Sequence, residues 1–243
     1  MKPIKDLSND ALLFLERHKN LTSYDIQERV LSDLVQKYPN HENYEAVEVK
    51  AKLLNMFYST GIQAIDAVVE NIMSIIDIDD ILNAPGYSKG LVDAIAELKL
   101  KDGKTRINYS FATKYCALHQ PNKYPIYDSI VAEILTKLMI TNQLPPYEYK
   151  KNKSDLSTDT YMTQGEFEEK LRDYDFFVKV YDIFMHDYGL KEKLNYRQVD
   201  WYLWGSYKDG GQPTKIEEMT NISTNRYVVY TPKTTKKTRK INS

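Results

Sequence analysis

Apolar residues recur at three- and four-residue intervals through the first hundred positions of this chain, a spacing that suits helices and no strand. Ser8 can cap a helix carrying Leu12, Leu13 and Leu15. Residues 24–37 place Ile26, Val30, Leu31 and Leu34 on one face. Residues 43–58 do so with Val47, Leu54 and Phe57, then stop at Ser59-Thr60-Gly61. Residues 62–76 repeat the pattern with Ile65, Val68, Val69, Ile72 and Ile76. Pro85-Gly86 and Asp102-Gly103 are turns, and Ser88 caps a helix over 89–99 with Leu91, Ile95 and Leu98. Thr163 to Glu166 fits a capping box that opens a helix running to about Tyr188, where Gly189 ends it. Residues 196–207 form a last helix. The polar stretch 141–162, with Pro145-Pro146, reads as a long loop or insertion. Residues 226–230 are β-prone but isolated, and the basic end, 231–243, reads as a flexible tail. The expectation is an all-α chain of many short helices.

With 243 residues and 42% hydrophobic content the chain can bury a real core, in one large domain or two small lobes. Its net charge of −1 gives no bulk attraction for nucleic acid, so any basic surface has to be local. The single cysteine, Cys116, excludes an intramolecular disulfide and suits a reducing cytoplasm. No stretch of about 18 apolar residues marks a membrane span, and the N-terminus lacks the apolar core of a signal peptide.

The chemistry-bearing stretch is 109–134. Lys114 lies near the middle of a helix over 109–119, which Gln120-Pro121-Asn122 stops. Pro125 keeps the return extended. Asp128 then stands at the N-cap of a helix over 128–140, where its carboxylate meets backbone N–H groups and the positive end of the dipole. Two short antiparallel helices can bring these side chains into one cleft although 14 positions separate them. Phe111, Ala117 and Leu118, three and four residues from the lysine, would desolvate its ammonium, as a nucleophilic amine requires. The aspartate would hold a carboxylate beside a developing oxocarbenium charge. A plain structural reading fits the same residues: an N-cap aspartate, and a lysine that snorkels to solvent.

This unit resembles the centre of the helix-hairpin-helix DNA glycosylases, in particular the 8-oxoguanine glycosylase branch. Lys114 matches the family's catalytic lysine, and Pro125-Ile126-Tyr127-Asp128-Ser129-Ile130-Val131 its catalytic-aspartate segment. Leu53 to Ile62 is similar to the helix end and loop that meet the DNA. The resemblance covers roughly 45–140, with an echo at 196–207. It implies a two-lobed helical bundle and a monomer that takes double-stranded DNA with one base flipped out. It also implies attack of Lys114 on C1′, a Schiff base and strand cleavage by β-elimination; no cofactor or metal is expected. Ser59, Thr60 and Gly61, with Ser110 and Ala112 of the hairpin, are the DNA-contact positions it suggests. Ser110-Phe111-Ala112 stands where the family usually has Gly-x-Gly, and Leu118 where some members have a base-contacting cysteine. Preference for 8-oxoguanine therefore does not carry over.

Both tryptophans of the chain lie in 196–208. Trp201, Trp204 and Asp200 share one side of a helix at three- and four-residue offsets. They can form an aromatic wall for an extruded base, with Asp200 or Gln198 reading its edge and Leu118 beside it, or they can simply pack the helix. His18, His41, His119 and His186 have no metal-type spacing with one another or with Cys116. No Gly-rich phosphate loop and no Gly-x-Ser-x-Gly is present. The reading is a DNA glycosylase with lyase activity. The alternative is a non-catalytic module of the same fold that binds nucleic acid or a protein partner, for example in bacterial defence.

Overall fold

A computed structural model describes residues 6–18, 23–100, 102–140 and 164–208. The expected loop at 141–162, the capping Thr163, the β-prone 226–230 and the tail lie outside them. Among the described residues the chain forms eleven helices and one two-stranded sheet. None of these helices is long and apolar enough to cross a membrane.

The chain begins with α1 (Ser8–His18), which the Asp6 carboxylate caps by accepting the Ser8 amide at 2.8 Å. Ser8 itself is not the cap; its hydroxyl accepts from Lys193. The buried face is Leu7, Ala11 and Phe14, at i, i+4 and i+7. Leu12 and Leu13 are exposed, because the face of α1 turned to α11 is the one that carries Leu7, Ala11 and Phe14. In α2 (Ser23–Lys37) Leu31 faces the core, while Ile26 and Val30 face solvent. Next, α3 (Tyr44–Phe57) starts at Asn43, whose side chain accepts the Ala46 amide, and buries Val47 and Leu54 as expected.

Two elements stand at and beyond the helix expected at 62–76. One of them, α4 (Ile65–Met73), is a shortened form of that helix; the other, α5 (Ile78–Asn83), lies beyond its expected end, with Ile76 exposed between them and Asp77 in the left-handed region at φ 56°. Ser88 caps α6 (Lys89–Ala96) through the Leu91 amide, but the helix stops eight residues on. There the Asn108 amide donates to the Ala96 carbonyl, and β1 (Glu97–Lys99) pairs antiparallel with β2 (Thr105–Ile107). Leu98 is thus buried from a strand and not from a helix face. Asp102-Gly103 makes the hairpin turn, with Gly103 at φ +81° and the Asp102 carboxylate accepting the Lys104 amide. The hairpin returns the chain beside the end of α6, and that return sets where the next helix begins.

That helix, α7 (Tyr109–His119), is the centre of the molecule. Eight of its eleven residues are buried, and it packs on α2, α3 and α6. The following loop is tied down along its length. Lys123 donates to the Leu82 and Ala84 carbonyls, the Tyr124 hydroxyl accepts the Ser88 amide, and Tyr174 donates to the Pro125 carbonyl. Then α8 (Ser129–Ile140) runs on to contact α9, α10 and α11. The single helix expected from 163 to 188 is broken into α9 (Gln164–Lys170) and α10 (Tyr174–Asp187), because the Asp173 side chain accepts the Phe176 amide and restarts the helix. Gly189, at φ +70°, ends α10.

The last described helix is α11 (Tyr196–Lys208). It lies against α1 closely enough that a Cβ on Gly205 would stand 2.4 Å from the Phe14 ring. Gly205→Ala is expected to lower stability by about 1–3 kcal/mol through overpacking, and Phe14→Leu in the same chain to return part of the loss, read from urea midpoints of the two variants.

Candidate functional site

The return of the chain onto α7 is made by one side chain. The Thr113 hydroxyl accepts the Tyr127 amide at 3.1 Å, which clamps the residue before Asp128 to the residue before Lys114. Asp128 then uses its two oxygens differently. Oδ1 accepts the Val131 amide at 2.9 Å and caps α8, as the sequence suggested, while Oδ2 stands 3.8 Å from Lys114 Nζ. The amine donates to Ser110 Oγ at 3.0 Å, one helical turn back, and lies over the Tyr58 ring. Both partners of the pair are more than nine-tenths buried. The lysine does not snorkel.

The two side chains share a cleft of about 800 Å³. Its walls are the end of α3 and the loop after it (Phe57, Tyr58, Ser59, Thr60), the hairpin side (Asp93, Ala96, Glu97, Ile107), the start of α7 (Tyr109, Ser110), the start of α8 (Ser129, Ile130), and Arg172 and Trp204. Such a volume and mixed lining suit a nucleoside-sized ligand. A buried amine that sheds its proton is a nucleophile for an electrophilic carbon, and a carboxylate within 4 Å of it can stabilise positive charge on that carbon.

Of the other expected positions, Ser59, Thr60, Ser110 and Trp204 line the cleft. Gly61 is exposed, with φ +71°, beyond its edge. Ala112 is wholly inside the core, so it offers no surface. Leu118 and Trp201 pack against the core. Gln198 is exposed and takes part in a reciprocal cap: it accepts the Asn195 amide at 3.0 Å while Asn195 accepts the Gln198 amide at 2.9 Å. That pairing starts α11 and occupies the side chain that was to read a base edge.

Asp200 is buried beneath the site, not in its wall. Arg197 donates to its Oδ2 at 2.8 Å, and its Oδ1 has no hydrogen-bond partner. Burial pushes its carboxyl up to about 7 against the opposing pull of Arg197, and the nearby Asp128 charge adds to the rise. Tyr58, Glu28, Arg197 and Arg172 went unnoticed in the sequence. Tyr58 had a signal, since it directly precedes the Ser59-Thr60-Gly61 loop. Glu28 and Arg197 had none: they are 169 residues apart and meet only through folding.

A second buried polar group lies elsewhere on α7. His41 bonds Asp79 through Nδ1 at 2.6 Å and the Tyr115 hydroxyl through Nε2 at 2.9 Å. Burial lowers the pKa values of both His41 and His119, the latter to about 2, and their rings lie 4.7 Å apart. Among the described residues no group of three or more His, Cys, Asp and Glu is arranged to hold a metal ion.

Residues 10–123 match a family model described as "HI_0787_N: N-terminal domain". Over 150 residues the chain is 32% identical to an uncharacterized protein of Haemophilus influenzae, a match covering 62% of this chain and 60% of that protein. The match thus spans less than two thirds of the relative's length. No solved structure matches. The family match takes in the α3 end, the hairpin and Lys114, and stops five residues before Asp128.

Because the folded-state pKa of Asp200 lies above that of an unfolded aspartate, its contribution is fully present below about pH 4 and is lost as pH rises to about 7. The stability of the wild type relative to Asp200→Asn is expected to fall by at least about 1 kcal/mol between pH 4.5 and 7.5, measured by urea unfolding at both values; an unchanged difference would contradict the assignment.

Proposed function

We propose that the cleft performs glycosylase chemistry: cleavage of the N-glycosidic bond of a nucleotide extruded from DNA, with Lys114 as nucleophile and Asp128 as the stabilising carboxylate. The observation that carries this reading is the buried Lys114–Asp128 pair, 3.8 Å apart and open to a cleft large enough for a nucleobase and its sugar. Neutral Nζ forms a bond to C1′ while the bond from C1′ to the base breaks. The base leaves with the bonding pair and takes the proton that Nζ sheds. The O4′–C1′ bond then opens, O4′ takes a proton from solvent, and an iminium joins Nζ to C1′. Loss of a C2′ proton from that iminium leads to β-elimination of the 3′ phosphate. Asp128 faces the carbon on which positive charge develops. Trp204, in the wall, offers a flat surface to a flipped base.

The charge of the rim favours a second reading. Asp93 and Glu97 line the cleft, and Glu133, Glu168 and Glu169 line the hollow that shares Tyr127, Ser129 and Arg172 with it. These carboxylates oppose a phosphate backbone. A module of this fold that binds a partner without catalysis accommodates them. In that case Lys114→Ala leaves partner binding intact and no covalent species forms.

Incubation with lesion-bearing or abasic duplexes in the presence of borohydride is expected to trap a covalent adduct, absent in Lys114→Gln. Asp128→Asn keeps a competent N-cap, so the fold should survive while base release falls by about 10²–10³. An adduct undiminished in Lys114→Gln would remove the lysine from the mechanism.

A further inference from the structure

Tyr58 caps the C-terminus of α3, lines the cleft, and lies between two cations. Lys114 Nζ is 5.6 Å from the centroid of its ring, and the Arg197 guanidinium carbon is 5.2 Å from it. The phenol is locked. Its hydroxyl donates to Glu28 and accepts from Arg197. Arg197 is in turn held by Glu28, through Nε at 2.8 Å, and by Asp200, through Nη1 at 2.8 Å. This brace draws on α2, α3 and α11, so the ring cannot swing away without breaking several charge-assisted hydrogen bonds.

An aromatic face attracts a cation through its quadrupole, and more strongly where water is excluded. The ammonium of Lys114 already has Asp128 and Ser110 as partners. The species that gains most from the ring is a different one. When Nζ condenses with a carbonyl carbon, the Nζ–C bond forms, the carbonyl oxygen leaves as water, and a planar iminium holds the charge. An iminium has fewer N–H donors than an ammonium, so it depends more on a charge-stabilising surface and less on hydrogen bonds. We infer that Tyr58 is a catalytic residue whose ring face stabilises the iminium formed on Lys114, with Glu28, Arg197 and Asp200 as the positioning brace. This inference rests on the lysine chemistry proposed above but not on DNA being the substrate.

The test changes the ring's electrostatics at constant shape. Position 58 is replaced by phenylalanine and then by phenylalanines of increasing ring fluorination, and borohydride trapping at Lys114 is followed by peptide mass spectrometry. Two carbonyl probes are used, an abasic-site duplex and glycolaldehyde. Tyr58→Phe gives up the hydroxyl brace and should trap several-fold more slowly than wild type, and it is the reference for the series. The rate should then fall stepwise with fluorination, reaching about tenfold or more below Phe for the perfluorinated ring. Tyr58→Leu should match that loss. A slope with glycolaldehyde but no adduct from the duplex keeps the Tyr58 role and overturns the DNA reading. A flat series with the probes that react, or no adduct at Lys114 from either probe, overturns the inference.

Discussion

A lysine amine held at 7% exposure inside a helix buried on nearly all sides is the constraint on which this structure turns. Such a group needs an anion and hydrogen-bond acceptors within reach, or burial becomes very costly. Here Ser110 lies one turn back on the same helix, and Asp128 is delivered by the following loop. The requirement reaches back through the chain. The loop can deliver Asp128 only because Thr113 pins Tyr127 and because the ends of α5 and α6 hold Lys123 and Tyr124 in place. Even α5, which contributes nothing to the cleft wall, therefore acts on it through one short turn.

The polar groups beneath the cleft follow the same logic. Arg197 balances Glu28 and Asp200, and Tyr58 joins that network through its hydroxyl while turning its ring to Lys114. On another part of α7, Tyr115 is satisfied by His41, and Lys50, fully buried, donates to the Tyr38 carbonyl at 2.9 Å. Burial pulls the Lys50 amine down to about 8. The central helix thus joins two polar clusters. The Lys114 cluster opens on a cleft of about 800 Å³, whereas at the other Tyr115 and Lys50 are wholly enclosed.

Helix positions were legible where apolar spacing and a cap agreed. The α3, α7 and α8 helices fall where periodicity, the Ser59-Thr60-Gly61 stop, Pro121 and Asp128 put them. Periodicity misled where local chemistry overrode it. Asp173 restarts a helix inside a stretch that reads as one helix from 163 to 188, and the end of the helix expected over 89–99 is instead β1, paired with β2 across the Asp102-Gly103 turn that the sequence marked. The exposed Leu12 and Leu13 show the limit of reading a face from composition: which stripe of α1 is buried depends on where α11 lies.

Lys114, the turn after it and the capping role of Asp128 were determined by local sequence, because helix-stopping prolines and N-cap preferences act over a few residues. The 3.8 Å approach of amine to carboxylate is a product of tertiary structure, since it needs the Thr113 clamp and the anchored loop. The same holds for the fates of Trp204, Trp201 and Gln198. All three come from one helix, yet Trp204 lines the cleft, Trp201 packs the core and Gln198 caps its own helix. A helical repeat says which residues share a face; only packing against the other elements decides what that face meets.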